Sequence, residues 1–500
     1  MNLHPPVPSL GQTRSASTAD WQPILEKFQQ VWGYSTFRPP QDGIVRSLLN
    51  GQDTLVVMPT GGGKSICFQL PALLNQGLTL VISPLVALME DQVQDLQRRK
   101  LPAALLHNEV SKRQRQQTLN AIRNHQLRLL YLSPETLLSP SVWECLCLPN
   151  VQINGLILDE AHCLVQWGDT FRPAYRRLGA VRPALLRHKP PGTRMAIAAF
   201  TATANPTAQQ TIKTVLGLRQ PQQFLLNPYR ENLRLSVKIA WTPSGRRRQL
   251  RQWINRYPNQ AGLVYVRTRR DSETLAQELQ KQGYRTMAYH AGLCASDRRQ
   301  IEADWLNDRL QFVVCTCAFG MGINKPDVRW ICHFHPPTLL SEYVQEVGRA
   351  GRDGKSAYAL MLVSEPTGWL DPDDKQRHQF FMQHGRSHQQ KAIQLFKQLP
   401  PRSDLHTLHQ RFPDSDLALA LIHQAGRLRW IDPFRYELID PGKPLQIASN
   451  ADTAFQDYVQ TRSCRWQFLL NAFGFTQDAQ GFRCGTCDRC SRHYSASHIG

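Results

Sequence analysis

Short apolar runs that alternate with helical patterns fill the first three quarters of the chain. From about residue 53 to 220 the runs DTLVVMP, LTLVISP, LRLLYLSP, GLILDE and MAIAAFTAT have the length and composition of buried strands. The same rhythm returns after a joint near residues 227–234, in AGLVYVRT, RTMAYHAG, LQFVVCT, VRWICHF and SAYALMLVS. Strands that alternate with helices predict a parallel sheet covered by helices on both faces. The sequence therefore predicts an α/β protein with two tandem parallel-sheet lobes.

The charge of the chain indicates the kind of partner it binds. Among 500 residues, 59 Lys and Arg face 39 Asp and Glu, a formal charge of +20. Such an excess favours a polyanionic partner, of which nucleic acid is the commonest, although a basic protein without one is the alternative. No run of ~18 apolar residues predicts a membrane span. Residues 1–20 have no apolar core of a secretory signal, so we expect a disordered lead there.

A different pattern begins after EPTGWLDPDD. The stretches HQQKAIQLFKQLP, DLHTLHQRF and SDLALALIHQAG predict three helices, and RLRWIDPFRYELID predicts two strands around an Asp-Pro turn. Three helices followed by a hairpin predict a winged helix; a helical linker with an isolated hairpin is the alternative. If this region separates strands, we expect the hairpin tip around Asp432 and Phe434 to do so.

A glycine turn lies between a strand and a helix in VVMPTGGGKS. Successive backbone N–H groups of such a turn can cradle phosphates, and the helix N-terminus adds its dipole. Lys64 would reach the β- and γ-phosphates and Ser65 would hold Mg²⁺. Met58 occupies the first glycine position of the usual spacing, so an ordinary turn is the alternative. The predicted phosphate cradle consists of Thr60, Gly61, Gly62 and Gly63.

Two further segments carry the groups that phosphoryl transfer needs. In LILDEAH, Asp159 can hold Mg²⁺ while Glu160 orients or deprotonates the attacking water, although an exposed acidic strand end is the alternative. In YVQEVGRAGRDG, Arg349 and Arg352 are bracketed by glycines that permit close approach of the backbone. An arginine that reaches the γ-phosphate can contribute a factor of about 10³–10⁵ in rate. A solvated basic loop is the alternative for this segment.

Four of the twelve cysteines lie close together near the end of the sequence. Three follow a C-x-x-C-x-x-C spacing and one lies upstream, at the start of a predicted helix. Four thiolates suit tetrahedral Zn²⁺, whereas the same run also opens an iron–sulfur motif. Free thiols are improbable at this spacing. The predicted metal ligands are Cys464, Cys484, Cys487 and Cys490.

The motifs also carry a resemblance to a known family. GYSTFRPPQ, MPTGGGKS, SPLVALMEDQ, LDEAHCLVQWGDTFRP, FTATA, YHAGL, CAFGMGINKPDVR and QEVGRAGRDG resemble, in this order, the motifs of a superfamily 2 helicase. More closely, the chain resembles the RecQ family of DNA helicases from about residue 34 to 354 and again at the terminal cysteines. The resemblance implies two RecA-like lobes, zinc at the cysteines, and ATP- and Mg²⁺-dependent movement 3′→5′ on single-stranded DNA.

The resemblance also assigns roles around the nucleotide. It implies that Tyr34 stacks on adenine, with Arg38 and Gln41 reading its edge. Thr201 and Thr203 would link hydrolysis to movement. On the second lobe, the residues that would face the γ-phosphate are Gln345 and Arg349, with Arg352 as the arginine finger.

The segment VQWGDTFRP, close behind Glu160, resembles the aromatic loop of this family, which contacts single-stranded DNA and relays its presence to the ATP site. Trp167, Phe171 and Arg172 are the residues expected to do so, and a Trp/Phe pair in the lobe core is the alternative. Stacking a base on an aromatic ring is worth about 1–3 kcal/mol, and opening a duplex step costs about 1.4 kcal/mol, so the loop could hold an opened base. Where relatives have His-Asp, this chain has Asp169 and Thr170, which could weaken the affinity for DNA or alter the coupling.

The predicted domains are a lead (1–20), lobe 1 (21–226), lobe 2 (227–366), a winged-helix region (367–450), a zinc subdomain (451–493) and a tail (494–500). Relatives carry the winged helix after the zinc subdomain, whereas this chain has it before. The predicted partners are single-stranded and tailed or forked duplex DNA, together with single-strand-binding or repair proteins. We expect a monomer that binds no membrane and acts in the cytoplasm, on the nucleoid if the source is bacterial, in DNA repair and recombination. An RNA helicase and a non-catalytic nucleic-acid scaffold are the rival functions.

Overall fold

A computed structural model describes residues 21–59, 61–165, 172–319, 323, 325–447 and 453–495. The predictions made for the lead, for Thr60 and for the aromatic loop residues Trp167 and Phe171 lie outside these residues. The expected effect of Asp169 and Thr170 lies outside them as well. Among the described residues, no helix combines the length and the apolar composition that crossing a bilayer requires.

The first sheet has seven strands, and each neighbouring pair is parallel. Its spatial order is β3-β4-β2-β5-β6-β1-β7. Most of these strands are apolar runs buried on both faces, as a parallel sheet covered by helices requires. The strands are β1 (Thr54–Val57), β2 (Leu78–Ile82), β3 (Ala103–Leu106), β4 (Leu129–Leu132), β5 (Ile153–Leu158), β6 (Ala196–Thr201) and β7 (Gln222–Leu225).

The helices of this first lobe begin at the signals that the sequence provides. The side chain of Ser111 accepts a hydrogen bond from the Gln114 N–H, and Asn205 caps a later helix in the same way. The helices are α1 (Gln22–Trp32), α2 (Gln41–Leu49), α3 (Lys64–Leu74), α4 (Val86–Arg98), α5 (Lys112–Arg123), α6 (Pro134–Leu137), α7 (Pro140–Cys147), α8 (Val181–Leu186) and α9 (Pro206–Leu216), with 3₁₀ turns at Ala161–Leu164 and Pro173–Ala180.

The second sheet has six parallel strands in the order β10-β11-β9-β12-β13-β8. Its strands are β8 (Leu233–Ala240), β9 (Gly262–Tyr265), β10 (Thr286–Tyr289), β11 (Phe312–Cys315), β12 (Trp330–His333) and β13 (Ala357–Ser364). Its helices are α10 (Pro243–Arg256), α11 (Arg269–Lys281), α12 (Ala295–Leu306) and α13 (Leu340–Val347). The prediction of two tandem parallel-sheet lobes is confirmed.

The region after lobe 2 forms a small module, residues 373–438, that we call the winged module. Its elements are α14 (Asp373–Phe396), β14 (Arg402–Asp404), α15 (Leu405–Arg411), α16 (Asp416–Gln424), β15 (Leu428–Asp432) and β16 (Arg435–Leu438). The three strands are antiparallel in the order β14-β16-β15. The succession helix, strand, helix, helix, strand, strand is that of a winged helix. The first helix starts well before the predicted HQQKAIQLF stretch, and β14 was not predicted.

The winged module packs against lobe 1, although it follows lobe 2 in the sequence. Helix α16 and strand β15 lie on the Pro173–Ala180 turn of lobe 1. The Phe434 ring contacts Trp143 of α7 edge-on, with ring centroids 5.2 Å apart. Asp432 is buried as well. The hairpin tip that was expected to separate strands therefore packs against lobe 1, with Phe434 as its apolar contact.

Four helices form the zinc module, residues 453–495: α17 (Thr453–Gln460), α18 (Arg465–Ala472), α19 (Thr476–Ala479) and α20 (Asp488–Ser495). Its apolar residues Tyr458, Trp466 and Leu469 belong to the same core as Leu233 and Tyr343 of lobe 2. The indole N–H of Trp466 donates to the Leu233 carbonyl at 3.1 Å. The zinc module and lobe 2 therefore share one hydrophobic core.

Candidate nucleotide and metal sites

Three adjacent strands of the first sheet bring the predicted motor residues together. β5, β6 and β1 are neighbours, with Val57 paired to Thr201 in register. The carboxyl ends of parallel strands lie at one edge of the sheet, where ligands bind in α/β folds. The acidic pair after β5, the Thr201 end of β6 and the glycine turn after β1 therefore meet at the same edge.

The glycine turn has the backbone that a phosphate cradle needs. Gly61 and Gly63 adopt φ values of +84° and +80°, and α3 begins at Lys64. A Cβ at Gly63 would lie 2.4 Å from the Gln41 side-chain nitrogen, so both space and backbone conformation require glycine there. That nitrogen donates to the Gly62 carbonyl at 3.0 Å. Gln41 thus holds the turn from outside, while the helix N-terminus points into it.

Asp159 and Glu160 form a buried acidic pair beside this turn. The Glu160 N–H donates to Asp159 Oδ1 at 3.0 Å, and Glu160 has a left-handed backbone. Burial and the neighbouring Glu160 raise the pKa of Asp159 to about 6, although the Lys64 charge opposes them. Burial acts in the same direction on Glu160, but Lys64 and His162 outweigh it and lower its pKa to about 2. Glu160 is therefore an ionised acceptor at neutral pH.

His162 connects the acidic pair to the end of β6, a role that was not predicted. Its Nδ1 lies 3.2 Å from Glu160 Oε2 and 3.1 Å from Thr201 Oγ1. Thr201 Oγ1 in turn donates to the Thr203 carbonyl at 3.1 Å. These contacts form a continuous buried path from the acidic pair to the Thr201–Thr203 segment. The signal was present in the LDEAH motif, whose last residue was not singled out.

Of the predicted adenine residues, Gln41 contacts the glycine turn, and Tyr34 and Arg38 lie in the segment that precedes it. The Tyr34 side chain is half exposed, with its ring 5.8 Å from that of Phe28. The Arg38 N–H donates to Gln41 Oε1 at 2.9 Å, and the Arg38 side chain is exposed. Gln41 is thereby bonded to the Arg38 backbone with one end of its amide and to the glycine turn with the other. An open aromatic face and a fixed amide next to the phosphate cradle can accommodate a nucleobase.

Two arginines of lobe 2 reach the site on lobe 1. The Arg352 side chain passes the glycine turn, with its Cγ 4.0 Å from where a Gly61 Cβ would be, and its Nη1 donates to the Ile323 carbonyl at 3.1 Å. Burial and the charge of Arg349 lower the pKa of Arg352 to about 10. Arg349 is close enough to contribute to the low pKa of Glu160. Arg349 and Arg352 of lobe 2 therefore lie close to the glycine turn and to the acidic pair of lobe 1.

Gln345 lies next to these arginines, at the seam between the lobes. It is buried and lines a cleft with Pro59 and Thr203 of lobe 1 and with Trp466 of the zinc module. Of the three residues expected to contact DNA, Trp167, Phe171 and Arg172, only Arg172 is described, and its Nη1 lies 3.1 Å from the Glu135 carboxylate. Glu135 was not considered in the sequence, because nothing in its own segment marks it as a partner.

The four predicted cysteines converge in the zinc module, with all sulfur atoms within 4.8 Å of one another. Two pairs, Cys484–Cys490 and Cys464–Cys487, are 3.9 Å apart. A tetrahedral ion with zinc–sulfur bonds of about 2.3 Å places its sulfurs about 3.8 Å apart, which these distances fit. Backbone N–H groups also donate to three of the sulfurs, as suits thiolate ligands. The space holds one ion and is too small for a cluster of iron and sulfide.

Two parallel-sheet lobes that meet at a candidate nucleotide site are typical of helicases. Family sequence models match in the same order: DEAD/DEAH box helicase over residues 38–211, helicase conserved C-terminal domain over 245–354, and RecQ zinc-binding over 440–491. The chain is 51% identical to the ATP-dependent DNA helicase RecQ of Synechocystis over 476 residues, which cover 94% of this chain and 99% of that protein. The chain belongs to the RecQ family of ATP-dependent DNA helicases.

Other relatives share only part of their length with this chain. The ATP-dependent DNA helicase RecQ of Haemophilus influenzae is 40% identical over 348 residues, which cover 69% of this chain and 54% of that protein. Among solved structures, Mss116p bound to single-stranded RNA and AMP-PNP has a TM-score of 0.59 at 18% identity, covering 72% of this chain and 77% of that one. Helicase Lhr of Mycobacterium smegmatis, bound to single-stranded DNA and AMP-PNP, has a TM-score of 0.54 at 18% identity, covering 87% and 60%. At 18% identity, the likeness to these two structures shows a shared fold.

The chain is thus a DNA-binding enzyme that couples ATP hydrolysis to DNA unwinding, with Mg²⁺ as cofactor and zinc at its four cysteines. Neither the RNA helicase nor the non-catalytic scaffold is favoured, because the similarity to the DNA helicase of Synechocystis extends over nearly the whole chain.

Proposed function

We propose that this helicase moves 3′→5′ on single-stranded DNA and unwinds tailed or forked duplexes, driven by ATP hydrolysis between lobe 1 (21–226) and lobe 2 (227–366). The observation that carries the proposal is the approach of Arg352 to the Gly61 turn across the seam between the lobes. A γ-phosphate in that turn attracts the arginine and closes the seam, and its loss after hydrolysis releases it. The polarity rests on the family resemblance.

The proposed roles on lobe 1 follow the geometry of the strand edge. Lys64 and the backbone of Thr60, Gly61, Gly62 and Gly63 hold the phosphates. Ser65 and Asp159 hold Mg²⁺, and Glu160 orients the attacking water. Tyr34 stacks on adenine, with Arg38 and Gln41 at its edge.

The remaining proposed roles concern the γ-phosphate and the coupling to DNA. Gln345 and Arg349 face the γ-phosphate beside Arg352. The path from Glu160 through His162 to Thr201 and Thr203 is supported by its unbroken contacts, and it leads toward the seam that Gln345 lines. Trp167, Phe171 and Arg172 contact the single strand.

We also propose the outer domain limits, 367–450 for the winged-helix region and 451–493 for the zinc subdomain, between the lead 1–20 and the tail 494–500. A monomeric state, action in the cytoplasm or on the nucleoid, a role in repair and recombination, and single-strand-binding or repair proteins as partners remain part of the proposal. They rest on the family resemblance.

Unwinding of matched duplexes with opposite overhangs tests this proposal. We expect unwinding of a DNA duplex with a 3′ tail and little unwinding with a 5′ tail or of an RNA duplex. Lys64→Ala serves as the inactive control. Equal unwinding from a 5′ tail would contradict the polarity, and preference for the RNA duplex would revive the rival function.

Two variants test the assigned roles. Arg352→Ala should lower the rate of ATP hydrolysis about 10³–10⁵-fold, whereas Lys355→Ala, an exposed cation in the same loop, should not. Trp167→Ala should abolish the stimulation of hydrolysis by single-stranded DNA, measured as the ratio of rates with and without the strand. Normal stimulation in this variant would remove the aromatic segment from the coupling.

A further inference from the structure

Helix α14 connects the two lobes by way of the winged module. At its start, Arg246 of lobe 2 binds both carboxylate oxygens of Asp374, at 3.0 and 2.9 Å, and Arg377 lies 3.1 Å from Asp271. At its end, Leu395 and Phe396 enter the core of the winged module. Both ends of the helix are therefore fixed, while most side chains between Lys375 and Lys391 are exposed.

The surfaces by which helix-turn-helix modules usually read DNA are occupied here. Such modules place the second helix of the motif in the major groove, and this helix corresponds to α16. In this chain α16 lies on the Pro173–Ala180 turn, and the hairpin tip contacts Trp143. A DNA contact by the docked module has to use another surface.

One face of α14 has the side chains for such a contact. Phe380, His384 and His388 are four residues apart and form a row of rings that we call the ladder. The first two are stacked, with centroids 5.4 Å apart at an interplanar angle of 24°, and the last two meet edge-on, 5.1 Å apart at 77°. Phe380 is 58% exposed, which is unusual for so large an apolar ring. Lys391 is exposed, continues this face by helical spacing, and acts on His388 electrostatically.

The charge along the helix has one sign. Between Asp374 and the end of α14 at Phe396 the sequence has no Asp or Glu, and Lys391 is an exposed cation on the same side as the rings. This distribution of charges does not fit an apolar protein partner, because the approach of such a partner would remove water from the cations without supplying opposite charges. A polyanion that also offers flat rings fits both the charge and the ladder.

We propose that this face of α14 binds single-stranded DNA, with unpaired bases stacking on the Phe380–His384–His388 ladder and Lys391 at a phosphate. A duplex is a poorer fit, because its bases are already stacked and paired and present no free faces to the rings. The proposal adds a contact surface outside the motor, and it depends on neither the polarity nor the catalytic roles proposed above.

Binding of a fluorescent oligo(dT) strand to the full chain without nucleotide tests the proposal. Phe380→Ala should weaken the affinity about fivefold or more, the lower end of the energy of stacking one base, and Phe380→Tyr should restore it because the ring is kept. Lys391→Gln should reduce the salt dependence of binding by about 0.7 in slope, the value for one phosphate contact. Arg386→Gln is the matched control, because Arg386 lies on the opposite side of the same helix.

Three results would overturn the proposal. The first is unchanged oligo(dT) affinity in Phe380→Ala. The second is an equal loss of affinity for a blunt duplex, which would indicate a duplex surface. The third is a change in the oligomeric state with no change in DNA affinity, which would indicate a protein surface. Since the assay contains no ATP, none of these results bears on the motor roles.

Discussion

The zinc module and the winged module are both appended to the motor, but they are attached in different ways. In the zinc module, the fully buried Arg465 donates from Nε and Nη2 to the two oxygens of Asp488 at 2.9 and 3.1 Å, and from Nη1 to the Tyr458 carbonyl. Asp488 also accepts from the Val237 N–H of lobe 2 at 3.2 Å. Each nitrogen of this buried guanidinium is bonded, and the network extends into lobe 2.

At the interface between the winged module and lobe 1, some buried polar atoms lack hydrogen-bond partners among the described residues. Arg176 of lobe 1 is only 2% exposed, yet its Nε and Nη2 have no hydrogen-bond partner among the described residues. The same holds, within the described part of the chain, for Nδ1 of His423 on α16. Arg177 is attracted by Asp416 across the interface, so the contact is not without compensation. Buried polar groups without partners cost about 1–3 kcal/mol each.

This difference indicates which of the two modules is attached more firmly to its lobe. A shared apolar core and a fully bonded arginine connect the zinc module to lobe 2. The contact of the winged module leaves a buried guanidinium without partners among the described residues, so we expect the winged module to leave lobe 1 more readily than the zinc module leaves lobe 2. The four predictions below test this contrast, from the largest expected effect to the smallest.

Arg465→Ala should destabilise the zinc module and lobe 2 together by about 3–5 kcal/mol, because it leaves the largely buried Asp488 carboxylate without its cation. Thermal unfolding and the zinc content of the purified protein measure the effect. Arg462→Ala, an exposed arginine three residues earlier, should change neither. Full zinc content and an unchanged melting temperature in Arg465→Ala would refute the firmer attachment.

Acidification should release the winged module and leave the zinc module in place. Burial and the charge of Arg176 lower the pKa of His423 from 6.5 to about 4, so the docked state binds this proton less readily than the released state. Docking is therefore at full strength above pH 6.5 and is lost as the pH falls toward 4. At pH 5 the docking equilibrium should be weaker by up to about 30-fold, the factor expected if release returns the pKa of His423 to 6.5.

Small-angle X-ray scattering at pH 7.5 and pH 5 would detect the release as an increase in the radius of gyration. His423→Gln should be nearly insensitive to this change. The variant is needed to separate the effect of His423 from that of His409, a second histidine of the winged module, which lies 3.3 Å from Asp416. An identical pH response in the variant would assign the effect to another group.

Phe434→Ala should weaken the docking by about 1–2 kcal/mol, because it removes the edge-on contact with Trp143 together with part of its apolar area. Amide exchange should become faster in Pro173–Ala180 and Asp416–Gln424 and stay unchanged in Arg465–Ala472. Ile439→Ala, a truncation of an exposed apolar residue at the other end of the hairpin, is the control. Unchanged exchange in Pro173–Ala180 would mean that the tip does not hold the module.

Tyr458→Phe should have the smallest effect, about 1 kcal/mol, because it removes only the hydrogen bond that the Tyr458 hydroxyl donates to the Tyr343 hydroxyl at 3.2 Å. We expect a slightly lower melting temperature and a single unfolding transition for the zinc module and lobe 2. Two separate transitions would show that the two do not unfold as one body.

The sequence was sufficient for features that depend on local pattern. Alternating strands and helices predicted both sheets, and the spacing of the cysteines predicted a metal site whose geometry fits zinc. Strand β14 was missed because it is only three polar residues long, with no alternation to reveal it. The contact of Phe434 with Trp143 could not be predicted, since the two lie far apart in the sequence and neither segment marks the other. His162 could have been singled out, because it ends the LDEAH motif whose acidic residues had already been assigned to phosphoryl transfer.

The length of α14 limits how the two lobes can move. Its 24 residues span about 36 Å. One end forms ion pairs with lobe 2, and the other end belongs to the winged module, which packs against lobe 1. If the anchored end turns with its lobe by about 10°, the far end travels about 6 Å, twice the length of a hydrogen bond. We therefore expect that the winged module either detaches from lobe 1 during a larger rotation or restrains the rotation to smaller angles.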